Sequence, residues 1–111
     1  MTIKISTLPS IYCDWLINHP SGAYGEDTGI FLYGESELAE RNDTYECEEY
    51  MPSHFIIGDD SGDTLYVMKK DQNSQAVFST DMGYMNEDEL AKETDNFLDW
   101  VENINMLQAD N

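Results

Sequence analysis

Three apolar runs, SHFIIG, DTLYVM and QAVFST, lie within residues 53–80, separated only by DDSG and KKDQNS. Each run is rich in the β-branched and aromatic residues that fit a pleated surface. Both separators carry turn formers: Asp, Ser and Gly in the first, Asp, Asn and Ser in the second. Together they read as an antiparallel meander, and the rest of the chain must be arranged around it.

Upstream, TLPSIYCDWLINHPSG reads as a short helix that Thr7 can cap, with Pro9 in its first turn and HPSG as its stop. Leu8, Ile11, Tyr12, Trp15 and Leu16 recur at the spacing of one apolar helix face. SGAYGEDTG is a loop, and GIFLYG is a brief strand between Gly29 and Gly34. ESELAERNDTYECEEY is acidic with a thin apolar stripe, and reads as one short helix followed by irregular structure closed by Pro52. Downstream, NEDELAKETDNFLDWVENINML reads as the best-marked helix. Asn86 is its cap, Glu89 its capping-box partner, and Leu90, Phe97, Leu98, Val101 and Ile104 its stripe. Glu87, Asp88 and Glu89 in the first turn suit the positive end of the helix dipole. The expected fold is α+β: a small antiparallel sheet covered by N-terminal and C-terminal helices, in a single domain over residues 1–111.

Charge narrows the possible partners. Five Lys and Arg face 23 Asp and Glu, a formal net charge of −18. Direct nucleic-acid binding needs clustered cations to neutralise phosphates, and anionic membrane surfaces need the same, so neither is expected. A basic protein is the complementary partner, because opposite fields accelerate encounter. The hydrophobic share of 41% argues that the chain folds despite its charge. Cys13 and Cys47 form no CxxC pair and read as reduced thiols. The opening MTIKISTLPSIYC has one Lys and no long apolar core, so no signal peptide is expected. No run reaches the ~18 apolar residues of a membrane span, and the expected location is cytoplasmic.

DDSGD invites a test for calcium. An EF-hand loop begun at Asp59 would place Ser61 and Asp63 correctly, but it puts Thr64 where Gly is needed and Lys70 where the bidentate Glu belongs. Acidic residues two positions before a Lys, as metal-dependent nucleases often have, are absent: Val67, Met68 and Leu90 stand there. Cys13, His19, Cys47 and His54 have no local spacing that would gather them on zinc. Two His, no GxSxG and no phosphate-cradling glycine loop leave little for nucleophilic catalysis. The expectation is a non-catalytic protein with no metal and no cofactor.

What remains is surface. The segment from Glu26 to Asp63 carries twelve of the 23 acidic residues, with only Arg41 to offset them, and interleaves Tyr33, Tyr45 and Tyr50, with Tyr24 just ahead of it. Tyrosine buries area and offers a hydroxyl, which is why it recurs at binding hot spots. The candidate partner-binding residues are Tyr24, Tyr33, Glu46, Glu48, Glu49, Tyr50, Asp59, Asp60 and Asp63. The aspartates either contact a partner or shape the turn.

The order of motifs resembles the SUKH superfamily, the fold of the fungal Smi/Knr regulators. LPSIYCDWLINHPSG is similar to its opening, GIFLYGESEL to its strand and acidic helix start, and YMPSHFIIGDDSGDTLYVM to its central hairpin. AVFSTDMGYM and the following segment with Phe97 and Leu98 are similar to its close. Gly58, Asp59, Gly62 and Asp63 match the family hairpin, where such residues mostly shape the turn. KKDQNS is shorter than the connection many members use. The resemblance implies binding without catalysis: in bacteria, an immunity protein that neutralises a cognate toxin, often a nuclease. The expected state is a monomer or weak homodimer. A DNA-mimic inhibitor and a general protein-binding scaffold are the other readings.

Overall fold

The computed structural model describes residues 7–103 and the backbone of Met106 and Leu107. Two six-residue strands form its centre, β3 (His54–Asp59) and β4 (Thr64–Lys69), each with four consecutive buried residues. Continuous burial means that both sheet faces are covered. β1 (Ala23–Gly25), β2 (Phe31–Leu32), β5 (Val77–Asp81), β6 (Ala91–Thr94) and β7 (Met106–Leu107) complete a seven-stranded sheet in the order β6-β5-β4-β3-β2-β1-β7. Every neighbouring pair is antiparallel. The first six strands are a meander in chain order, and β7 returns to the opposite edge beside β1.

The protein is thus a small α+β fold with helices flanking an antiparallel sheet. α1 (Ser10–Asn18) and α4 (Phe97–Asn103) cover one face. There Tyr12 packs edge-on against Phe55 at 5.3 Å and Phe97 at 5.6 Å, and Trp100 lies 5.2 Å from Tyr66. The other face buries Tyr33, Ile56, Leu65 and Val67 beneath α3 (Cys47–Tyr50) and a segment carrying Met82, Met85 and Leu90. α2 (Glu35–Thr44) lies against the edge of β3, where β2 has ended. The fully buried Asn42 side chain takes the place of a strand there: Oδ1 accepts the Ile56 N–H at 2.7 Å, and Nδ2 donates to the Ile56 carbonyl at 2.9 Å and to that of Leu38 at 2.8 Å.

Several expectations need correction. The loop SGAYGEDTG contains strand β1. Thr7 does not cap α1: the capping position falls on Pro9, with no side-chain hydrogen bond. The single long helix expected from Asn86 onward is three elements. Asn86 does accept the Asp88 N–H at 2.9 Å, but that cap supports only the 3-10 turn Glu87–Glu89. The chain then extends as β6, where it pairs the edge of β5 that a helix would leave without backbone partners, with Phe78 facing Lys92 and Ser79 facing Ala91. The helix begins again at a second cap, where Asn96 Oδ1 accepts the Asp99 N–H at 3.1 Å. Of the proposed stripe, Phe97 and Val101 are buried, Leu90 packs on the opposite sheet face, Leu98 is exposed, and Ile104 lies outside the described residues.

A bulge between Ile56 and Gly58 sets up the hairpin beyond it. One extra residue in β3 reverses which face each later side chain meets. Asp59 consequently pairs with Leu65 and points to the face that holds Tyr33. Gly58 is required at this crossing, because a Cβ there would run into the Phe31 carbonyl oxygen.

Candidate functional site

The acidic hairpin tip between β3 and β4 is held by its own carboxylates. Asp59 Oδ2 accepts the Tyr33 hydroxyl at 2.7 Å, and Oδ1 accepts the Ser61 N–H at 2.9 Å. Asp60 Oδ1 takes the N–H groups of Gly62 at 2.8 Å and Thr64 at 3.1 Å. Ser61 adopts a left-handed backbone (φ 67), and its hydroxyl donates to the Gly29 carbonyl at 2.8 Å. Local Asp-to-backbone bonds of this kind compensate for such a conformation. Asp63 is exposed, and its carbonyl accepts the Met82 N–H at 2.7 Å, tying the tip to the turn after β5.

That turn and α3 enclose a groove of about 310 Å³ lined by Tyr45, Tyr50, Met82, Gly83, Tyr84 and Met85. Tyr50 and Tyr84 are 54% and 63% exposed, large apolar surfaces that the fold leaves to solvent. Glu48 and Glu49 stand beside Tyr50 on α3, with Glu46 just before the helix, all three exposed. Glu46 itself holds a left-handed backbone (φ 55) at the joint between α2 and α3, which sets the direction of the short helix. Asp81, at the end of β5, is exposed and fastens the turn by accepting the Gly83 N–H at 2.7 Å.

The sequence-derived candidates separate into three groups. Tyr50 lines the groove, and Glu46, Glu48 and Glu49 are exposed next to it in the chain. Asp59 and Asp60 are half-buried and occupied in the turn, with Asp63 exposed beside them. Tyr24 is 43% exposed on β1. Its register partner is Phe31, which faces Asp59, so the three share one sheet face. Tyr33 does not belong to a docking surface: it is fully buried, and burial followed by its bond to Asp59 pushes its phenol far above the ordinary range. Sequence reasoning missed Met82, Tyr84 and Met85. Their signal was two methionines and a tyrosine around one glycine in DMGYM, an apolar turn in an otherwise acidic chain.

Other reactive groups are dispersed. Cys13 belongs to the α1 side of the sheet and Cys47 to the opposite side, both as free thiols. Burial pushes the Cys47 thiol up to about 11, so it is a poor nucleophile at neutral pH. His19 stacks on Trp15 at 4.6 Å, far along the chain from His54, whose Nδ1 lies 3.0 Å from Glu87 Oε1. Among the described residues no three His, Cys, Asp or Glu side chains come together as a metal site, and no helix is long and apolar enough to cross a membrane. Neither the family models nor the curated proteins compared with the sequence give a match.

Proposed function

We propose that the protein is a non-catalytic acidic binding protein of the immunity type. It binds a cognate basic toxin, such as a nuclease, and neutralises it by occluding the cleft that normally holds a polyanion. The observation that carries this reading is the excess of 23 acidic over five basic residues, combined with exposed tyrosine beside Glu46, Glu48 and Glu49. Carboxylates stand in for phosphates and speed encounter, while tyrosines supply desolvated anchors. The SUKH resemblance supports the same reading, and the α+β architecture is compatible with it.

The test is co-expression with the product of any toxin-like gene found next to the one that encodes this chain. Rescue of growth by this chain is the expected result. Equal killing with and without it sinks the immunity reading. Binding of many unrelated DNA-binding proteins, displaced in each case by duplex DNA, would instead identify a DNA mimic.

A further inference from the structure

Resting on the reading of a basic partner, we propose that the groove between α3 and the turn after β5 receives an arginine side chain of that partner. Three features converge on this occupant. Tyr45, Tyr50 and Tyr84 all line the groove, and a guanidinium is attracted to the faces of such rings and stacks on them. Met82 and Met85 add a deformable apolar floor suited to the methylene stem. Glu48 and Glu49 are exposed on the same short helix as Tyr50, with Glu46 just before it, and the chain carries a net charge of −18, so a cation is favoured over a neutral chain.

The volume of about 310 Å³ lies at the lower end of clefts that hold small ligands, ~300–1,000 Å³, which suits one or two side chains. Half-exposed tyrosines at the mouth would be covered on docking, as hot-spot residues generally are. The hairpin tip stands beside this site, because the Asp63 carbonyl holds the Met82 N–H. Asp63 is exposed at that junction, whereas Asp59 and Asp60 keep the tip in shape.

The experiment titrates the full chain, labelled at its methionine methyls and tyrosine rings, with a blocked pentapeptide carrying two arginines between glycines. The same peptide with citrulline, which keeps the shape and removes the charge, is the control. Shifts confined to Met82, Met85 and the tyrosine rings with the arginine peptide alone are expected. Tyr50→Ala and Tyr84→Ala should each weaken binding about threefold, and the double variant about tenfold. Unchanged melting shows that these exposed positions do not act through folding. Equal binding of the citrulline peptide, shifts spread over the whole acidic surface, or shifts that follow protein concentration without peptide each overturn the proposal. Toxin neutralised equally well by the double variant removes the groove while leaving the immunity reading standing. Peptide bound in the groove with no toxin neutralised does the reverse.

Discussion

Replacing Asn42 tests the joint on which the second face of the sheet depends. After the Tyr33 N–H reaches the Ile57 carbonyl, β2 leaves β3, and Ile56 is the next residue whose backbone would face an empty edge. Asn42→Ala strands the Ile56 N–H and carbonyl, which the wild-type amide holds at 2.7 and 2.9 Å in a site with no solvent exposure. Each buried backbone group left unmade costs about 1–3 kcal/mol. The better helix propensity of Ala returns less than about 1 kcal/mol. The expected net loss is about 3 kcal/mol, a large share of the ~5–15 kcal/mol of a domain this size, or roughly 12 °C in Tm.

Asn42→Asp sharpens the test. Its first oxygen still accepts the Ile56 N–H, while the second replaces Nδ2 and faces the Leu38 and Ile56 carbonyls. Repulsion there raises the carboxyl in the folded state above its unfolded value of about 3.9. The folded variant therefore holds its proton longer than the unfolded chain does. The defect should be smaller at pH 4 and grow as pH rises through the folded value. Urea unfolding of wild type and both variants at pH 4 and 7 measures this. Asn42→Ala within 0.5 kcal/mol of wild type, or an Asn42→Asp defect independent of pH, would refute the clamp.

Charge reversal should divide the hairpin tip. Asp59→Lys and Asp60→Lys each lose two hydrogen bonds and should cost about 1–3 kcal/mol in chemical denaturation, whereas Asp63→Lys should stay within about 0.5 kcal/mol of wild type and act on partner association. For Glu87, burial works to raise the carboxyl, but hydrogen bonds with His54 at 3.0 Å and from the Ser53 N–H at 2.7 Å prevail and hold it below the usual range. Its contribution is therefore complete above the unfolded value near 4.3 and lost as pH falls through the lower folded one; a pH-independent stability difference between wild type and Glu87→Gln would contradict this. The Tyr12 hydroxyl is buried without a partner among the described residues, so Tyr12→Phe should leave the urea midpoint unchanged or raise it, and a loss above about 1 kcal/mol would reveal a partner.

The proposed acidic docking surface was legible only as composition. Glu46, Glu48, Glu49 and Tyr50 are neighbours in the chain, and a four-residue helix keeps them neighbours in space. Tyr33 has the same residue type as Tyr50 and a similar acidic setting, yet it ended in the core as the donor to Asp59. Both lie on the same side of the sheet: Tyr33 follows β2 inside the core of that face, with Asp59 turned towards it by the bulge at Ile56/Gly58, whereas Tyr50 sits on α3, which covers that face. The apolar lining from Met82, Tyr84 and Met85 comes some 30 residues after Tyr50 in sequence, so no local pattern joins the two walls.

By itself the sequence determined the meander of β3, β4 and β5, helix α1, and the acid excess that any partner must meet. These rest on short-range physics: side-chain alternation, turn chemistry and summed charge act over a few residues or need no geometry. Tertiary structure alone decided the fate of the segment after Asn86. Its caps and helix formers were real, but the unpaired edge of β5 supplied backbone hydrogen bonds that made β6 of Ala91–Thr94. It also decided that Asn42 would serve as a strand surrogate and that Tyr50 and Tyr84 would face each other's turn across one groove. Each of these outcomes depends on the satisfaction of polar groups or the burial of apolar ones contributed by distant parts of the chain, which only the assembled sheet brings together.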